Sequence, residues 1–426
     1  MLRFLYSLLL ILTYIPYSIA ILIRIFFKKE HKSKFKEKLF FNKIERPSGF
    51  IFWFHVASLG EFNSILPIVD YYIQKDEKYK FLITTVTLSS YNELKKKYGK
   101  NKRIFHQFLP YDLNLFTNYF LNSWKPDIVS FVDSEIWPNF IFNIKKRNIP
   151  IVLLNARITK KTFKRWLFLK KFSKTLFGLF SICIASSKES QEYLSLLQAK
   201  KIKYYGNIKF CSASQDDVKI DEEQFQNIKN KKIWCAISTH NDEEIFCSKV
   251  QEILNRSEKN SMCIIIPRHV HRNKGIFSKL SKMGFKLQIK NENDKIDKAA
   301  EIVLINYYGA VNTFLRKIKN VFIGKSLVKK LIKVGGQNPI EAAKMGCYIF
   351  HGPYVYNFAE IYRDLKNKEF SEEINYPEEL ANKLLRNFGN DKKLVDGEKI
   401  KELEIYSNSI FKNTINEYEI LINENT

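Results

Sequence analysis

The residues best suited to chemistry lie in short polar segments that follow apolar, strand-like runs. The first segment, His55–Glu61, contains Ser58, Gly60 and Glu61 and precedes a helical stretch. The helix dipole stabilises an anion at a helix start, so Glu61 would stay ionised and could accept a proton at neutral pH. Capping of the helix by Ser58 or Glu61, without any chemistry, is the alternative. The segment therefore predicts either a general base or a helix cap.

A second segment, Asp133–Asn139, places two carboxylates, Asp133 and Glu135, directly after the apolar run 128–132. Its Pro138 could open a helix that Asp133 caps, which explains only part of the pattern. A glutamate beside an aromatic residue, in a turn at the end of a strand, is a group whose protonation a site can tune. Glu135 is therefore a candidate catalytic residue.

Three basic residues follow turns or strand ends and could face a negatively charged ligand. Lys209 lies in a Gly-Asn turn, and Arg268 and His269 follow the apolar run 263–266. Arginine is permanently charged and offers a planar set of donors that matches phosphate. These residues predict an anion site, with ordinary solvated surface side chains as the alternative.

The most specific of the five segments is Val334–Glu341. Its adjacent glycines, Gly335 and Gly336, leave backbone N–H groups open to an anion, and a helix that starts directly after them adds its positive end. Asn338 and Glu341 lie three apart on one face of that helix, so a carboxylate could accept hydrogen bonds from a ribose beside the bound phosphate. The segment predicts a nucleotide site, and a plain Gly-Gly loop is the alternative.

These segments need elements that position them. Short β-rich runs alternate with helical stretches from residue 49 to residue 205, and the rhythm restarts at residue 233 after a polar, acid-rich interval. This alternation predicts two doubly wound, Rossmann-like α/β domains, which bind ligands beyond the carboxyl ends of their strands. We expect a site in a cleft between a domain at 31–211 and a domain at 233–426, joined by a linker at 212–232.

The first thirty residues predict a membrane anchor. The segment Phe4–Ile23 carries no charge, and as a helix it would cover about 30 Å, the thickness of a bilayer's hydrocarbon core. Basic residues dominate the stretch that follows, so the positive-inside rule places the body of the protein in the cytoplasm. A helix that lies in the membrane interface without crossing it is the alternative, which Pro16 in mid-segment favours. We predict a single-pass anchor at 1–30 in the inner, cytoplasmic membrane.

The formal net charge of +26 favours an anionic partner. From residue 136 to residue 187 there is no acidic residue, whereas basic residues, including Arg157, Lys161 and Arg165, are interleaved with aromatic ones. This pattern suits an anionic membrane surface and a ligand that bears phosphates and acyl chains. It could also bind nucleic acid, but no nucleic-acid-binding module accompanies it, so we expect no such partner. The six cysteines lack metal-ligand spacing, so neither a zinc site nor a disulfide framework is predicted.

The five segments, in this order and at these intervals, resemble the 3-deoxy-D-manno-octulosonic acid (Kdo) transferases, a family with the GT-B fold. The resemblance runs over most of the chain and includes three further segments, Asn155–Arg157, Ser238–Glu244 and Gly352–Phe358. It implies transfer of Kdo from CMP-Kdo to a phosphorylated lipid A precursor similar to lipid IVA. The implied reaction is inverting and needs neither a metal nor another cofactor.

The resemblance also implies roles for particular residues. Glu61 is the general base, and Glu135 and Lys209 act in the transition state. The residues expected to bind CMP are Arg268, His269, Gly309, Ala310, Val311, Gly335, Gly336, Asn338 and Glu341. The residues expected to contact the acceptor are Ser58, Gly60, Arg157, Lys161 and Arg165.

The chain departs from the family pattern at several positions. It reads Asn306–Val311 where the family usually has Asp-Thr-x-Gly-Glu-Leu, so only backbone contacts through Gly309 would survive there. Lys325, Gln337 and His271 replace a usual glycine, histidine and glutamate. Two other functions compete with Kdo transfer. One is another GT-B nucleotide-sugar glycosyltransferase or epimerase, and the other is a non-catalytic membrane adaptor or RNA-binding protein.

Overall fold

The computed structural model describes residues 2–39, 45–212, 223–332, 334–389 and 395–424. The chain divides into two compact units, the first comprising Met1–Ala213 with Ser407–Thr426 and the second comprising Ser214–Tyr406. Each unit is described by itself below.

The first unit contains a seven-stranded parallel sheet and the helices that connect its strands. Its strands are β1 (Phe50–Val56), β2 (Tyr79–Thr85), β3 (Ile104–Phe108), β4 (Ile128–Val132), β5 (Ile151–Ala156), β6 (Ile182–Ala185) and β7 (Ile202–Tyr204). Its helices are α1 (Leu2–Phe26), α2 (Lys36–Leu39), α3 (Leu59–Lys75), α4 (Leu88–Tyr98), α5 (Asn114–Trp124), α6 (Pro138–Lys145), α7 (Lys160–Phe168), α8 (Lys170–Phe177) and α9 (Lys188–Leu196). The strand order is β3-β2-β1-β4-β5-β6-β7, so the sheet grows outwards in both directions from β1 and β4.

The second unit repeats this plan. Its strands are β8 (Lys232–Thr239), β9 (Ser261–Pro267), β10 (Leu287–Lys290), β11 (Ile302–Ile305), β12 (Asn320–Ile323), β13 (Tyr348–His351) and β14 (Ser371–Glu373). The order β10-β11-β9-β8-β12-β13-β14 is again parallel throughout. Its helices are α10 (Glu223–Gln226), α11 (Glu243–Ser257), α12 (Asn273–Ser281), α13 (Ala310–Lys317), α14 (Ile340–Lys344), α15 (Ala359–Asn367), α16 (Pro377–Gly389) and the start of α17 (Gly397–Asn423). Two doubly wound parallel sheets with alternating helices confirm the predicted fold class.

Strand β1 shows why the sheet residues form continuous apolar runs. Trp53 belongs to the core on one face of the sheet, whereas Phe52 and Phe54 belong to the core on the opposite face. A parallel sheet covered by helices buries both faces, so polar alternation is lost. The segment that follows β1 therefore starts from a rigid, fully buried strand.

The end of α17 belongs to the first unit. Tyr418 is fully buried there, and its hydroxyl oxygen lies 2.7 Å from that of Ser130 on β4. Ile415 and Leu421 join the same core as Phe52. The sequence interpretation assigned residues 233–426 to the second domain, whereas the structure joins the segment from Ser407 onwards to the first unit. Apolar side chains of this last segment cover a sheet face that chain order alone does not reveal.

Of the predicted linker at 212–232, residues 213–222 lie outside the described residues, and the remainder includes α10 and the first residue of β8. Five cysteines are buried free thiols, and Cys211 is partly buried.

Candidate active site

The first group of site residues lies at the carboxyl ends of β1, β4 and β5. Ser58 is the N-cap of α3, and its hydroxyl oxygen accepts a hydrogen bond from the Glu61 N–H at 3.3 Å. Glu61 Oε1 accepts from the Ser58 hydroxyl at 2.8 Å, and Glu61 Oε2 accepts from the Ala57 N–H at 2.7 Å. The capping alternative from the sequence is therefore present as geometry, and it holds the carboxylate in one orientation.

The protonation of Glu61 differs from the expectation. Burial raises the pKa of its carboxyl to about 7, the charge of Asp133 acts in the same direction, and the Ala57 N–H opposes the shift. The sequence argument considered only the helix dipole, which would keep the group ionised. Burial and an acidic neighbour outweigh the dipole, so Glu61 can exchange a proton near neutral pH.

Glu135 is held by two donors on one oxygen. Its Oε2 accepts from the Trp137 indole N–H at 3.0 Å and lies 3.3 Å from His55 Nε2. His55 is fully buried, and its Nδ1 lies 2.9 Å from the Thr84 hydroxyl oxygen. The sequence pattern did not identify His55 as a site residue, although it stands at the end of β1.

Lys209 forms an ion pair with Asp133, with 2.5 Å between Lys209 Nζ and Asp133 Oδ2. Asn155 Nδ2 donates to the other oxygen of Asp133, and Asn155 Oδ1 accepts from the Ile208 N–H at 3.1 Å. Asp133 and Asn155 both have left-handed backbone conformations, with φ of 55° and 53°. Asn155 thus ties the turn that carries Lys209 to the end of β4, and Asp133 and Asn155 are functional candidates that the site prediction omitted.

The predicted acceptor residues occupy more open positions. Ser58 and Gly60 are exposed, and a Cβ added at Gly60 would meet no atom within 4 Å. Arg157 is partly buried and its backbone N–H donates to the Asp133 carbonyl at 3.0 Å. Lys161 and Arg165 are exposed on α7, a helix without a buried residue. The structure therefore places Ser58, Gly60 and Arg157 around the Glu61 group and the other two on a neighbouring basic helix.

In the second unit, Arg268 and His269 are exposed directly after β9. The Arg268 N–H donates to the Thr239 carbonyl at 3.1 Å, which brings the ends of β8 and β9 together. The His269 ring centre lies 5.9 Å from that of His240 and 5.6 Å from that of His271. Burial lowers the pKa of His269, and the neighbouring imidazoles and arginines act in the same direction. Arg268 and Arg272 are therefore permanent cations beside these histidines, and Arg272 is paired with Glu244.

Glycine is required at positions 335 and 336 for close packing, and not for the anion binding that the sequence predicted. A Cβ at Gly335 would lie 2.1 Å from the Tyr354 carbonyl oxygen, and Gly336 has a φ of 90° close to the Val355 backbone. The Gly336 N–H already donates to the Lys325 carbonyl at 2.8 Å. The prediction that both N–H groups stay open to an anion is thus wrong for Gly336, because close packing of two loops uses it.

The helix after the glycines, α14, has only five residues, so its dipole contributes less than predicted. Asn338 precedes Pro339, the N-cap of this helix, and its Oδ1 accepts from the Ile340 N–H at 3.1 Å. Glu341 is partly buried, which raises the pKa of its carboxyl, and Lys344 opposes that shift. Asn338 thus lies outside the helix that was predicted to carry it, and only Glu341 lies on α14.

Gly309, at the divergent segment, has a φ of 90° and is the N-cap of α13. A side chain added there would meet no atom within 4 Å. Ala310 is buried and Val311 is partly buried, so the Ala310 side chain serves the core. A contact to a ligand at Ala310 would use its backbone.

The structure reveals Glu243 as a positioning residue that sequence reasoning did not assign. Its carboxylate is buried and accepts four backbone N–H groups, at 2.8 Å from His240, 2.7 Å from Lys325, 2.8 Å from Ser326 and 2.9 Å from Leu327. It therefore joins the loop after β8 to the loop after β12. The adjacent acidic residues Glu243 and Glu244, in the segment Ser238–Glu244, were the sequence feature that could have identified this role.

We expect Glu243→Gln to lower the free energy of unfolding by about 2 kcal/mol or more, because the amide nitrogen would face N–H donors that the carboxylate now accepts. Thermal unfolding of the full chain measures this. Glu252→Gln is the matched control, since Glu252 lies on the same helix, is exposed and forms a surface pair with Arg256. Equal stability of the two variants would contradict the positioning role.

Comparisons with known proteins identify the family. A family model described as 3-deoxy-D-manno-octulosonic-acid transferase (kdotransferase) matches residues 32–212. The 3-deoxy-D-manno-octulosonic acid transferase of Rickettsia bellii is 29% identical over 93% of this chain and 91% of its own length. That of Rickettsia felis is 30% identical over 78% of this chain and 70% of its own length.

Solved structures share the architecture. A glycosyltransferase from Rickettsia africae is similar with a TM-score of 0.55 and 14% identity, covering 88% of this chain and 99% of that chain. The UDP-GlcNAc 2-epimerase from Neisseria meningitidis is similar with a TM-score of 0.52 and 12% identity, covering 86% and 100%. At these identities the likeness shows the fold alone.

Two parallel sheets, each with polar loops at the carboxyl ends of its strands, define a GT-B protein. Sequence identity to relatives over most of the chain makes the assignment more specific. The chain belongs to the 3-deoxy-D-manno-octulosonic acid (Kdo) transferase family and is a glycosyltransferase. The family resemblance read from the sequence is thereby confirmed, and the likeness to epimerases is one of fold.

Proposed function

We propose that this enzyme transfers Kdo from CMP-Kdo to a lipid A precursor similar to lipid IVA in lipopolysaccharide biosynthesis, in an inverting reaction without a metal. The observation that carries the mechanism is the Glu61 carboxyl, which has a pKa of about 7 and lies in one group with Glu135, Asp133 and Lys209. Family membership supports the donor and the lipid acceptor.

In the proposed step, an acceptor hydroxyl oxygen attacks the anomeric carbon of Kdo while the bond from that carbon to the phosphate oxygen breaks. Glu61 takes the hydroxyl proton, and the bonding electrons leave with the phosphate of CMP. A carboxyl with a pKa near the working pH suits this proton transfer. The Ser58 and Ala57 hydrogen bonds hold the base in place before the acceptor arrives.

Charge develops on both reacting partners as the bond to CMP breaks. Glu135, oriented by Trp137 and His55, would stabilise positive charge on the sugar ring, and Lys209 would stabilise negative charge on the departing phosphate. Lys209 pairs with Asp133 in this structure, so donor binding would draw on a cation that is already positioned. Metal independence remains part of the proposal.

The acceptor side of the proposal rests on α7 and α8. Lys161 and Arg165 are exposed, and Phe168, at the end of α7, has a relative exposure of 90%. Cations beside an exposed aromatic ring suit phosphates and acyl chains at an anionic membrane surface. We accordingly place the enzyme at the inner, cytoplasmic membrane with its two units on the cytoplasmic side.

The proposal is tested by incubating purified full-length enzyme with CMP-Kdo and lipid IVA and measuring the mass of the lipid product. We expect a product heavier by whole Kdo residues, formed equally well in excess EDTA. Loss of product in EDTA with recovery in magnesium would refute metal independence. Turnover of UDP-GlcNAc without use of CMP-Kdo would favour the epimerase alternative instead.

A further inference from the structure

Helix α1 has its polar side towards the first unit and its apolar side outwards. The residues with reduced exposure recur at helical spacing, namely Leu2, Arg3, Tyr6, Ser7, Leu10, Tyr14, Tyr17, Ser18, Ile21 and Ile25. Most of them carry hydroxyl or charged groups. An ordinary amphipathic helix of a soluble domain buries its apolar stripe and exposes its polar one, so α1 is inverted relative to that rule.

The amino-terminal half of α1 is attached through polar contacts. Arg3 Nη2 donates to Asn143 Oδ1 at 2.9 Å, the Tyr6 hydroxyl donates to Asp112 Oδ2 at 2.8 Å, and the Ser7 hydroxyl donates to Asn139 Oδ1 at 3.3 Å. Asp112 also accepts from the backbone N–H groups of Asn139 and Phe140, which open α6. These contacts join the helix to buried polar groups of the domain.

The carboxyl-terminal half of α1 is also held by side-chain contacts along its inner face. The Tyr14 hydroxyl donates to the Leu39 carbonyl at 2.5 Å, and the Tyr17 ring stacks on Tyr111 with 4.5 Å between centres. Arg24 pairs with the buried Glu30 at 2.8 Å, and Glu30 pairs with Lys38. Contacts therefore run along the whole helix, from its first turn to its last.

The outer face of α1 is apolar along the same length. Its exposed apolar residues, at 43–83% relative exposure, are Phe4, Leu5, Leu8, Leu9, Ile11, Leu12, Ile15, Ile19, Leu22, Ile23 and Phe26. No charged residue interrupts this face between Phe4 and Ile23. A continuous apolar stripe of this length on a water-facing surface marks an interaction site.

We propose that α1 lies in the plane of an anionic bilayer, docked lengthwise on the first unit, and inserts its apolar outer face among the lipids without crossing the membrane. A spanning helix would have to give up the contacts from Arg3 to Arg24, leaving Asp112 and Glu30 without these partners and taking polar side chains into hydrocarbon. An in-plane helix keeps the polar contacts of its inner face with the first unit and buries its apolar outer face among the lipids. This arrangement replaces the single-pass anchor that hydropathy predicted.

Positive charge next to the amino end of α1 identifies an anionic lipid surface as the occupant. The Arg3 guanidinium lies 4.6 Å from the Phe142 ring centre, and that ring lies 6.1 Å from the Phe172 ring on α8. Helix α8 and the adjoining α7 carry the basic run that includes Lys161 and Arg165. An in-plane helix beside a basic, aromatic pair of helices matches the composition of interfacial membrane-binding elements.

The depth of three outward residues distinguishes an in-plane helix from a spanning one. Single cysteines replace Leu5, Leu12 or Ile19 in a full-length Cys211→Ser protein, whose other cysteines are buried. Each is labelled with an environment-sensitive fluorophore and bound to phosphatidylglycerol–phosphatidylethanolamine vesicles that contain lipids brominated at stated depths. Along the axis, Leu12 lies about 10 Å from each of the other two. A label at Glu252, on the second unit, is the control.

We expect all three labels to be quenched best by the same shallow bromine position and the Glu252 label not to be quenched. Greatest depth at Leu12, with Leu5 and Ile19 near the surfaces, would establish a spanning helix and overturn the proposal. Unquenched labels, together with disulfide cross-links between chains in the same variants before labelling, would assign the face to a second copy and would also overturn it. The measurement uses no sugar donor, so its outcome is independent of the proposed transfer reaction.

Discussion

Glu61→Gln is expected to lower the saturated rate of Kdo transfer by about a hundredfold or more, since the amide nearly preserves the shape of the side chain but cannot take a proton. The affinity for CMP should be unchanged, because the proposed CMP residues lie in the second unit. Turnover at saturating CMP-Kdo, together with the shift in thermal midpoint produced by CMP, measures the two effects separately.

The pH dependence gives an independent check on Glu61. A general base works in its deprotonated form, and the pKa of Glu61 is about 7, so the wild-type rate should rise as the pH increases through about 7 and then level off. The residual rate of Glu61→Gln should lack that rise. An exposed glutamate in the turn beyond the carboxyl end of α3, Glu77, provides the matched control as Glu77→Gln.

A helix cap predicts the opposite outcome. Loss of a cap would cost about 1 kcal/mol of stability and leave turnover near normal. Near-normal turnover in Glu61→Gln would therefore overturn the mechanism, although the family assignment would stand.

Lys209→Met is expected to reduce turnover by about a hundredfold, because a positioned cation that stabilises the departing phosphate would be lost. It should also lower the free energy of unfolding by about 1–3 kcal/mol, since the Asp133 carboxylate, 9% exposed, would lose its charged partner and keep the neutral Asn155 amide as a donor. Steady-state kinetics and thermal unfolding report the two losses. The control is Lys203→Met, at an exposed position on the adjacent strand β7.

The double variant Asp133→Asn with Lys209→Met separates the two roles of the lysine. Removing both charges should restore most of the stability, because no carboxylate is left unpaired. Turnover should stay low if the lysine charge acts on the donor. Recovered turnover in the double variant would show that Lys209 only neutralises Asp133.

Local sequence features explain why much of the site at the carboxyl ends of β1, β4 and β5 could be predicted from the sequence. His55–Glu61 and Asp133–Asn139 follow buried strands directly, and parallel strands deliver the segments after them to one edge of a sheet. Ser58 and Glu61 are three residues apart, so their capping contacts follow from helix geometry alone. The doubly wound fold and the positions of Glu61 and Glu135 could thus be read without coordinates.

Other features depend on residues far apart in the chain. The Lys209–Asp133 pair joins positions separated by 76 residues, and the four donors to Glu243 come from two different loops. Gly335 is required by the approach of the Tyr354 backbone, which no local pattern contains. Such contacts depend on the order of strands in the sheet, which the sequence pattern did not supply.

The sequence by itself determined the fold class, the family and the segments that bear the site, because hydrophobic periodicity and short motifs are local properties of the chain. Only the tertiary structure decided that Glu61 has a pKa of about 7, that Gly336 serves packing and that the polar side of α1 is the docked side. The physical reason is common to all three. Burial and hydrogen bonding by distant residues change the energy of a group, and hydropathy or local spacing records neither.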